Sequence, residues 1–287
     1  MSNLILKLKK SIPAEIARRV YHDFKYWDKT KDRLQIEKTI KRYKDRHKGE
    51  VCVVVGNGPS LRIEDLTRLY ELNIPTFACN RVTLAFPETL WRPTYYFISD
   101  EKLLTGYSDD VDGVPAENRF FPKAFREKGI KNGVFYGPSP EFYDYEKEGK
   151  FSTDASKGVC GGGTVTVEMM QFAYYMGFQE IYLIGVDFSY AINSPLNGKT
   201  YAYQGENNYF IKDYLKQGEV AAIPNLTANL LAFHAAKTAF ESSGRTVNNA
   251  TRGGKLEVFE RIDLDVLFER WEKEKHESCR FCSDKTK

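Results

Sequence analysis

Residues 51–61, Val-Cys-Val-Val-Val-Gly-Asn-Gly-Pro-Ser-Leu, leave this chain few folds to choose from. Five consecutive apolar, mostly β-branched residues describe a strand buried on both faces, because a half-exposed strand would alternate apolar with polar. The turn that ends it carries two glycines, and Pro59 suits a tight turn or a first helical position. Ser60 can cap a helix running from Leu61 to Tyr70. A strand covered on both sides and followed at once by a helix belongs to a parallel sheet of crossover units.

The alternation continues downstream. Ile74–Cys79 reads as a second strand, Tyr95–Ile98 as a third and Gly133–Tyr136 as a fourth. Thr164–Met176 is a strong helix stopped by Gly177, and Ile181–Gly185 is a further buried strand. Leu226, Leu230, Phe233 and Phe240 mark a long helix before a strand at Arg245–Asn248. The expected fold class is α/β: a doubly wound, mostly parallel, Rossmann-like sheet with helices on both faces. Residues 1–49 read as a basic helical extension, 50–270 as the α/β domain and 271–287 as a charged tail. Within the domain, residues 190–222 are polar, rich in Tyr, Asn and Gly, and without periodicity, as in a lid over a site.

Composition removes several classes. With 42% hydrophobic and 28% charged residues, the chain is neither collagen-like, nor a coiled coil, nor disordered throughout. No apolar run approaches the ~20 residues of a membrane helix. Lys7, Lys9 and Lys10 interrupt the apolar patch at the start, so it lacks the shape of a signal peptide. Five scattered cysteines do not make a disulfide framework. The expectation is a cytoplasmic protein of a reducing compartment. Residues 1–50 hold 15 Lys/Arg against 7 Asp/Glu, within a chain whose net charge is only +3. That segment, with Leu4, Ile5, Leu6 and Leu8 beside its lysines, suits either an amphipathic helix packed on the domain or peripheral contact with an anionic membrane. Nucleic acid is not an expected partner, since the rest of the chain is acidic and carries no nucleic-acid motif. His276, Cys279 and Cys282 lack a fourth ligand near them in sequence, so no metal site is assigned there.

Candidate ligand-binding residues gather where the strands end. Gly56, Asn57, Gly58, Pro59 and Ser60 stand where a phosphate-binding loop would stand. A dinucleotide fingerprint would place a third Gly at Leu61 and an acidic residue after the second strand, which instead ends in Cys79-Asn80-Arg81. The amide of Asn80 both donates and accepts, which fits a pyrimidine edge or a ribose hydroxyl. Asn57 and Asn80 serve equally well to tie neighbouring loops together. Gly162, Gly163 and Thr164 open the strong helix with N–H groups at its positive end. Asp187 closes the strand at Ile181–Gly185 and either faces the same crevice or caps the following turn.

The stretches VCVVVGNGPSL, FACN, GFQEIYLIGVDF and NNATRGGKLEVF, in that order, resemble the bacterial family-42 sialyltransferases. They also resemble the broader DUF115 group with its 6-hydroxymethylpterin diphosphokinase-like proteins. The resemblance spans about residues 50–260. It implies a variant GT-A fold that takes a CMP-sugar donor without a resident metal, Asn57 and Asn80 contacting the nucleotide. It further implies tyrosines on the donor phosphate, for which Tyr190, Tyr201 and Tyr203 are the candidates here. The family's general base is a His just before the long helix. This chain has none at that place, and His234 lies two turns into the helix. A carboxylate can serve instead, and Glu219 stands nearest, ahead of Glu206 and Asp213. The expected function is glycosyl transfer from a CMP-activated nonulosonic or related acid to a glycan or glycolipid acceptor, with no cofactor required. The alternatives are an ATP-dependent pyrophosphokinase, which would bring Mg²⁺ to Asp100 and Asp187, and a nucleotide-binding protein without catalysis.

Overall fold

The structure is a computed structural model and describes residues 30–100, 118–128, 130, 132–139, 148–196 and 198–284. The apolar residues 4–8, on which the membrane expectation rests, lie outside the described residues. Among the described residues eight strands form one sheet: β1 (Val51–Val55), β2 (Thr76–Cys79), β3 (Tyr95–Phe97), β4 (Asn118–Pro122), β5 (Val134–Tyr136), β6 (Glu180–Ile184), β9 (Thr246–Asn249) and β10 (Glu260–Arg261). Their order across the sheet is β10-β9-β6-β1-β2-β3-β4-β5. Every neighbouring pair is parallel. Cys52 to Val55 are buried, as the unbroken apolar run requires.

Helices complete the layers: α1 (Thr30–Ile40), α2 (Ile63–Leu72), α3 (Val165–Tyr175), α4 (Leu226–Ser242) and α5 (Leu264–Asp284). The chain leaves β1 through α2 toward β2, and reaches β6 and β9 through α3 and α4 in the opposite direction. Right-handed crossovers in opposed directions put α2 on one face and α3 and α4 on the other. Accordingly α3 packs with α4, and α2 with α5. Strand order therefore reverses between β1 and β6, and the crevice opens above that switch point.

Several boundaries differ from those read in the sequence. β4 (NRFFP) and the two-residue β10 carry too little pattern to be recognised, so the predicted fourth strand is the fifth. Residues 30–49 are not a separate extension: Ile36 and Ile40 of α1 are buried in the main core. The predicted charged tail is helical through Asp284. Trp271 is buried and continues the α5 stripe of Leu264, Leu267 and Phe268, so it joins the domain, whereas residues 273–277 are exposed as a charged tail would be. The side chains of Cys279 and Cys282 lie outside the described residues. The helix after β1 begins at Ile63 rather than Leu61, and the Asp65 carboxylate accepts the Arg62 N–H at 3.2 Å to close its first turn.

The lid region is more ordered than its composition suggests. β7 (Thr200–Ala202) and β8 (Val220–Ala222) pair antiparallel. Beneath them a small cluster forms around Tyr214, Leu215 and Ala221. Tyr209 stacks on Tyr214 with ring centroids 3.9 Å apart. The Arg81 guanidinium donates to the Tyr214 carbonyl, and the Phe210 N–H donates to Asn57 O at 3.0 Å. These bonds seat the lid on the ends of β1 and β2.

Candidate active site

The close approach of β1 and β6 sets the floor of the site. Gly56 N–H donates to Ile184 O and Gly58 N–H to Gly185 O, both at 2.8 Å. A Cβ on Gly56 would meet the Gly185 carbonyl oxygen, and one on Gly58 would overlap the Asp187 carboxylate. The glycines thus let two strand ends and an acid come together. The same bonds correct the expected phosphate loop, because the N–H groups of Gly56 and Gly58 are already engaged. Ser60 does not cap the helix. Its hydroxyl donates to Asp187 Oδ2 at 2.8 Å. Burial raises the Asp187 carboxyl above its usual range, and the Ser60 hydroxyl pulls in the other direction.

At the end of β2, Asn80 adopts φ of 53°, a left-handed conformation uncommon outside glycine, and its carbonyl accepts from Tyr96 Oη at 2.8 Å. Phe188, just past Asp187, also takes φ of 53°. Such backbone strain, of order 1–3 kcal/mol each, clusters at functional sites. The Asn57 amide nitrogen donates to Cys79 O at 3.0 Å, so this residue does tie the two loops together. Yet Asn57 Oδ1 and Asn80 Oδ1 are both buried with no hydrogen-bond partner among the described residues. The third wall is the start of α3. Thr164 caps it, its hydroxyl accepting the Thr166 N–H at 3.3 Å, and Gly163 turns the chain into it at φ of 64°.

Together these elements enclose a cavity of about 500 Å³. That volume falls within the range of small-molecule sites, roughly 300–1,000 Å³. Gly56, Asn57, Gly58, Pro59, Asn80, Gly162, Gly163, Thr164 and Asp187 all line it, and Tyr190 and Glu219 join them from the lid. Ser60, Tyr201 and Tyr203 are not among the lining residues. Tyr201 and Tyr203 instead pack in the lid's own cluster, where their hydroxyls donate to Glu206 Oε2 at 3.4 Å and to Glu206 O at 2.9 Å. Glu219 sits on the rim with its carboxylate accepting the Lys216 N–H at 2.9 Å.

A profile of the family described as "6-hydroxymethylpterin diphosphokinase MptE-like" matches residues 25–193, more than half of the chain. The chain belongs to the MptE-like family. No curated protein sequence matches it. Among solved structures, a MAf glycosyltransferase from Magnetospirillum magneticum AMB-1 aligns at 16% identity with a TM-score of 0.48. That alignment covers 81% of this chain and 38% of the other, so the chain spans well under half of that protein.

In this MptE-like chain the sequence left one residue of the site unread. Glu168, one turn into α3, is buried among Val167, Met169 and Met170 and passes on pattern alone for a partly exposed helix position. The fold turns it into the cavity wall, where Tyr136 Oη donates to Glu168 Oε2 at 2.5 Å. Burial pushes this carboxyl up to about 7, against the opposing pull of hydrogen bonds from Tyr136 and Ser99. Among the described residues the lining thus includes four acids, Asp100, Glu168, Asp187 and Glu219, and no Lys or Arg. Even so, no three His, Cys, Asp or Glu side chains among the described residues converge as metal ligands.

Proposed function

We propose that this chain is a glycosyltransferase taking a CMP-activated sugar, with cytosine as the base and a nonulosonic or related acid as the sugar. The observation that carries the reading is the pair of unused amide oxygens, Asn57 Oδ1 and Asn80 Oδ1, on neighbouring strand ends of the cavity. A buried acceptor without a donor costs about 1–3 kcal/mol. Ribose hydroxyls and the exocyclic amine of cytosine are donors that relieve this cost, while the Asn80 amide N–H groups answer the pyrimidine's own acceptors. From such a placement the donor phosphate extends toward the positive end of α3, where Gly163 and Thr164 line the cavity.

In the transfer, an acceptor hydroxyl oxygen bonds to the anomeric carbon as the bond from that carbon to the phosphate oxygen breaks. CMP leaves with the bonding electrons, and the hydroxyl proton passes to a base. Glu219, on the rim nearest the lid, is assigned that proton. Tyr190, 40% exposed at the mouth, covers the sugar. The work of the protein is positioning and charge stabilisation, since CMP is already a good leaving group. The acceptor is a surface glycan or glycolipid. No helix among the described residues is long and apolar enough to cross a membrane. The basic first 50 residues are assigned the peripheral contact that brings a glycolipid to the site at the cytoplasmic face.

The second reading, a pyrophosphokinase using ATP and Mg²⁺, is favoured by the family's description and by Asp100 and Asp187 in the cavity wall. Among the described residues the donor set does not suit a resident Mg²⁺: the acids do not converge, and Asp187 is held by Ser60. Thermal-shift measurements with CMP, AMP and ATP, each with and without Mg²⁺, separate the readings. CMP without metal should stabilise more than AMP, and Asn80→Ala should remove most of that gain. Equal shifts for CMP and AMP would refute the cytidine assignment, and a shift seen only with ATP and Mg²⁺ would favour the kinase.

A further inference from the structure

Glu168 is a buried acid in a cavity meant, on the reading above, for an anionic donor, and among the described residues the groups that face it are neutral or acidic. From β5, Tyr136 donates to it, and burial holds that phenol well above its usual range. After β3 comes the hydroxyl of Ser99, which also hydrogen-bonds to it. Cys79 at the end of β2 is the nearby thiol, pushed up to about 12 by burial. From α4, Asn229 and Phe233 reach the same cavity. Asp100 and Asp187 line it too, and the described lining holds no Lys, Arg or His. An ionised Glu168 would therefore place a desolvated charge beside the phosphate with no counter-charge among the described residues of the wall.

We infer that Glu168 binds the anionic part of the donor as a neutral carboxylic acid, donating its O–H to a phosphate oxygen beside the start of α3. Tyr136 is its positioning residue, because the 2.5 Å bond holds Glu168 Oε2 and, with the Ser99 hydroxyl, fixes the carboxyl in the cavity wall. The inference rests on the nucleotide reading but not on which sugar is carried. A carboxyl poised near 7 supports it, since a large share of that group keeps its proton in a neutral medium, where an ordinary Glu is almost wholly ionised. The helix end acts the other way, favouring the ionised form of an acid in its first turns. Burial outweighs it, and the helix end is left to attract the ligand's charge.

The test is the pH dependence of CMP binding to the full chain, measured calorimetrically from pH 7 to pH 9. In this window the nucleotide phosphate, with its second pKa near ~6, stays fully charged. Affinity for CMP should fall by up to about tenfold per pH unit above neutrality, as binding takes up one proton. Cytidine, lacking phosphate, should show no such fall. Glu168→Gln, a permanent neutral mimic, should bind CMP with a flat profile and at least about 10-fold more tightly than the parent at pH 8.5. Tyr136→Phe removes a donor that favours the ionised form, so it should move the fall to higher pH, and it serves if the Gln variant does not fold. Binding of CMP that ignores pH in the parent, or a Gln variant that tracks the parent, overturns the role of Glu168 alone. Absence of binding by CMP, AMP and inorganic pyrophosphate at every pH overturns this inference together with the nucleotide reading.

Discussion

Glu168 offers a stability test that needs no ligand. Its carboxyl titrates near about 7 in the fold against 4.5 ordinarily. Between those limits the folded chain holds a proton that the unfolded chain has released, so stability falls as pH rises from 4.5 to 7 and is level above that. At about 1.4 kcal/mol per pH unit, the ionised group costs the fold roughly 3 kcal/mol at pH 8. Glu168→Gln keeps the shape and an acceptor for the Tyr136 hydroxyl but cannot ionise. Other acids titrate alike in both proteins and cancel in the difference. Urea unfolding of parent and variant at pH 5 and pH 8, extrapolated linearly to water, should show the difference shifting in favour of the variant by about 2–3 kcal/mol. In heat denaturation the change corresponds to roughly 5 °C. A difference that stays constant between the two pH values would refute the claim that a desolvated acid sits in this wall.

Three further outcomes follow from particular contacts. Gly56→Ala forces a Cβ onto the Gly185 carbonyl, backbone against backbone, so β1 and β6 must part; the urea midpoint should drop by several kcal/mol equivalent, well beyond the ~0.5 kcal/mol of an ordinary surface change. Trp271→Ala empties a buried position in the stripe that holds α5 to the domain and should cost about 3–5 kcal/mol in the same assay, whereas a solvated tail would lose nothing. Glu219→Gln should slow sugar transfer about 10²-fold or more, while CMP affinity measured by calorimetry stays nearly unchanged. Transfer at the parent rate would assign Glu219 a structural role, its bond with the Lys216 N–H included.

What the amino-acid sequence determined by itself was the architecture of the site's approach. The unbroken run Val51–Val55 demanded burial on both faces, and the Gly-Asn-Gly-Pro turn announced that the chain reverses there. The same local logic found α3 and α4, whose starts at Thr164 and Asn225 carry side-chain caps. It also brought most of the proposed cavity residues together, since the ends of parallel strands in one sheet necessarily share an edge.

Other features were settled only by tertiary structure. Whether Ser60 caps a helix or binds Asp187 depends on how near β6 comes to β1, a contact between residues 127 positions apart. The phenols of Tyr201 and Tyr203 look outward or inward according to the pairing of β7 with β8, and that pairing turns both away from the cavity toward Glu206. The ionisation of Glu168 is the clearest case. Its neighbours in sequence are ordinary helix residues, and only the packing of β5 and the Ser99 loop against α3 removes the water that would have kept it fully ionised at neutral pH. Periodicity and turn chemistry act over a few residues and can be read along the chain. Desolvation and hydrogen-bond partnership depend on which distant segments meet, and the fold alone decides that.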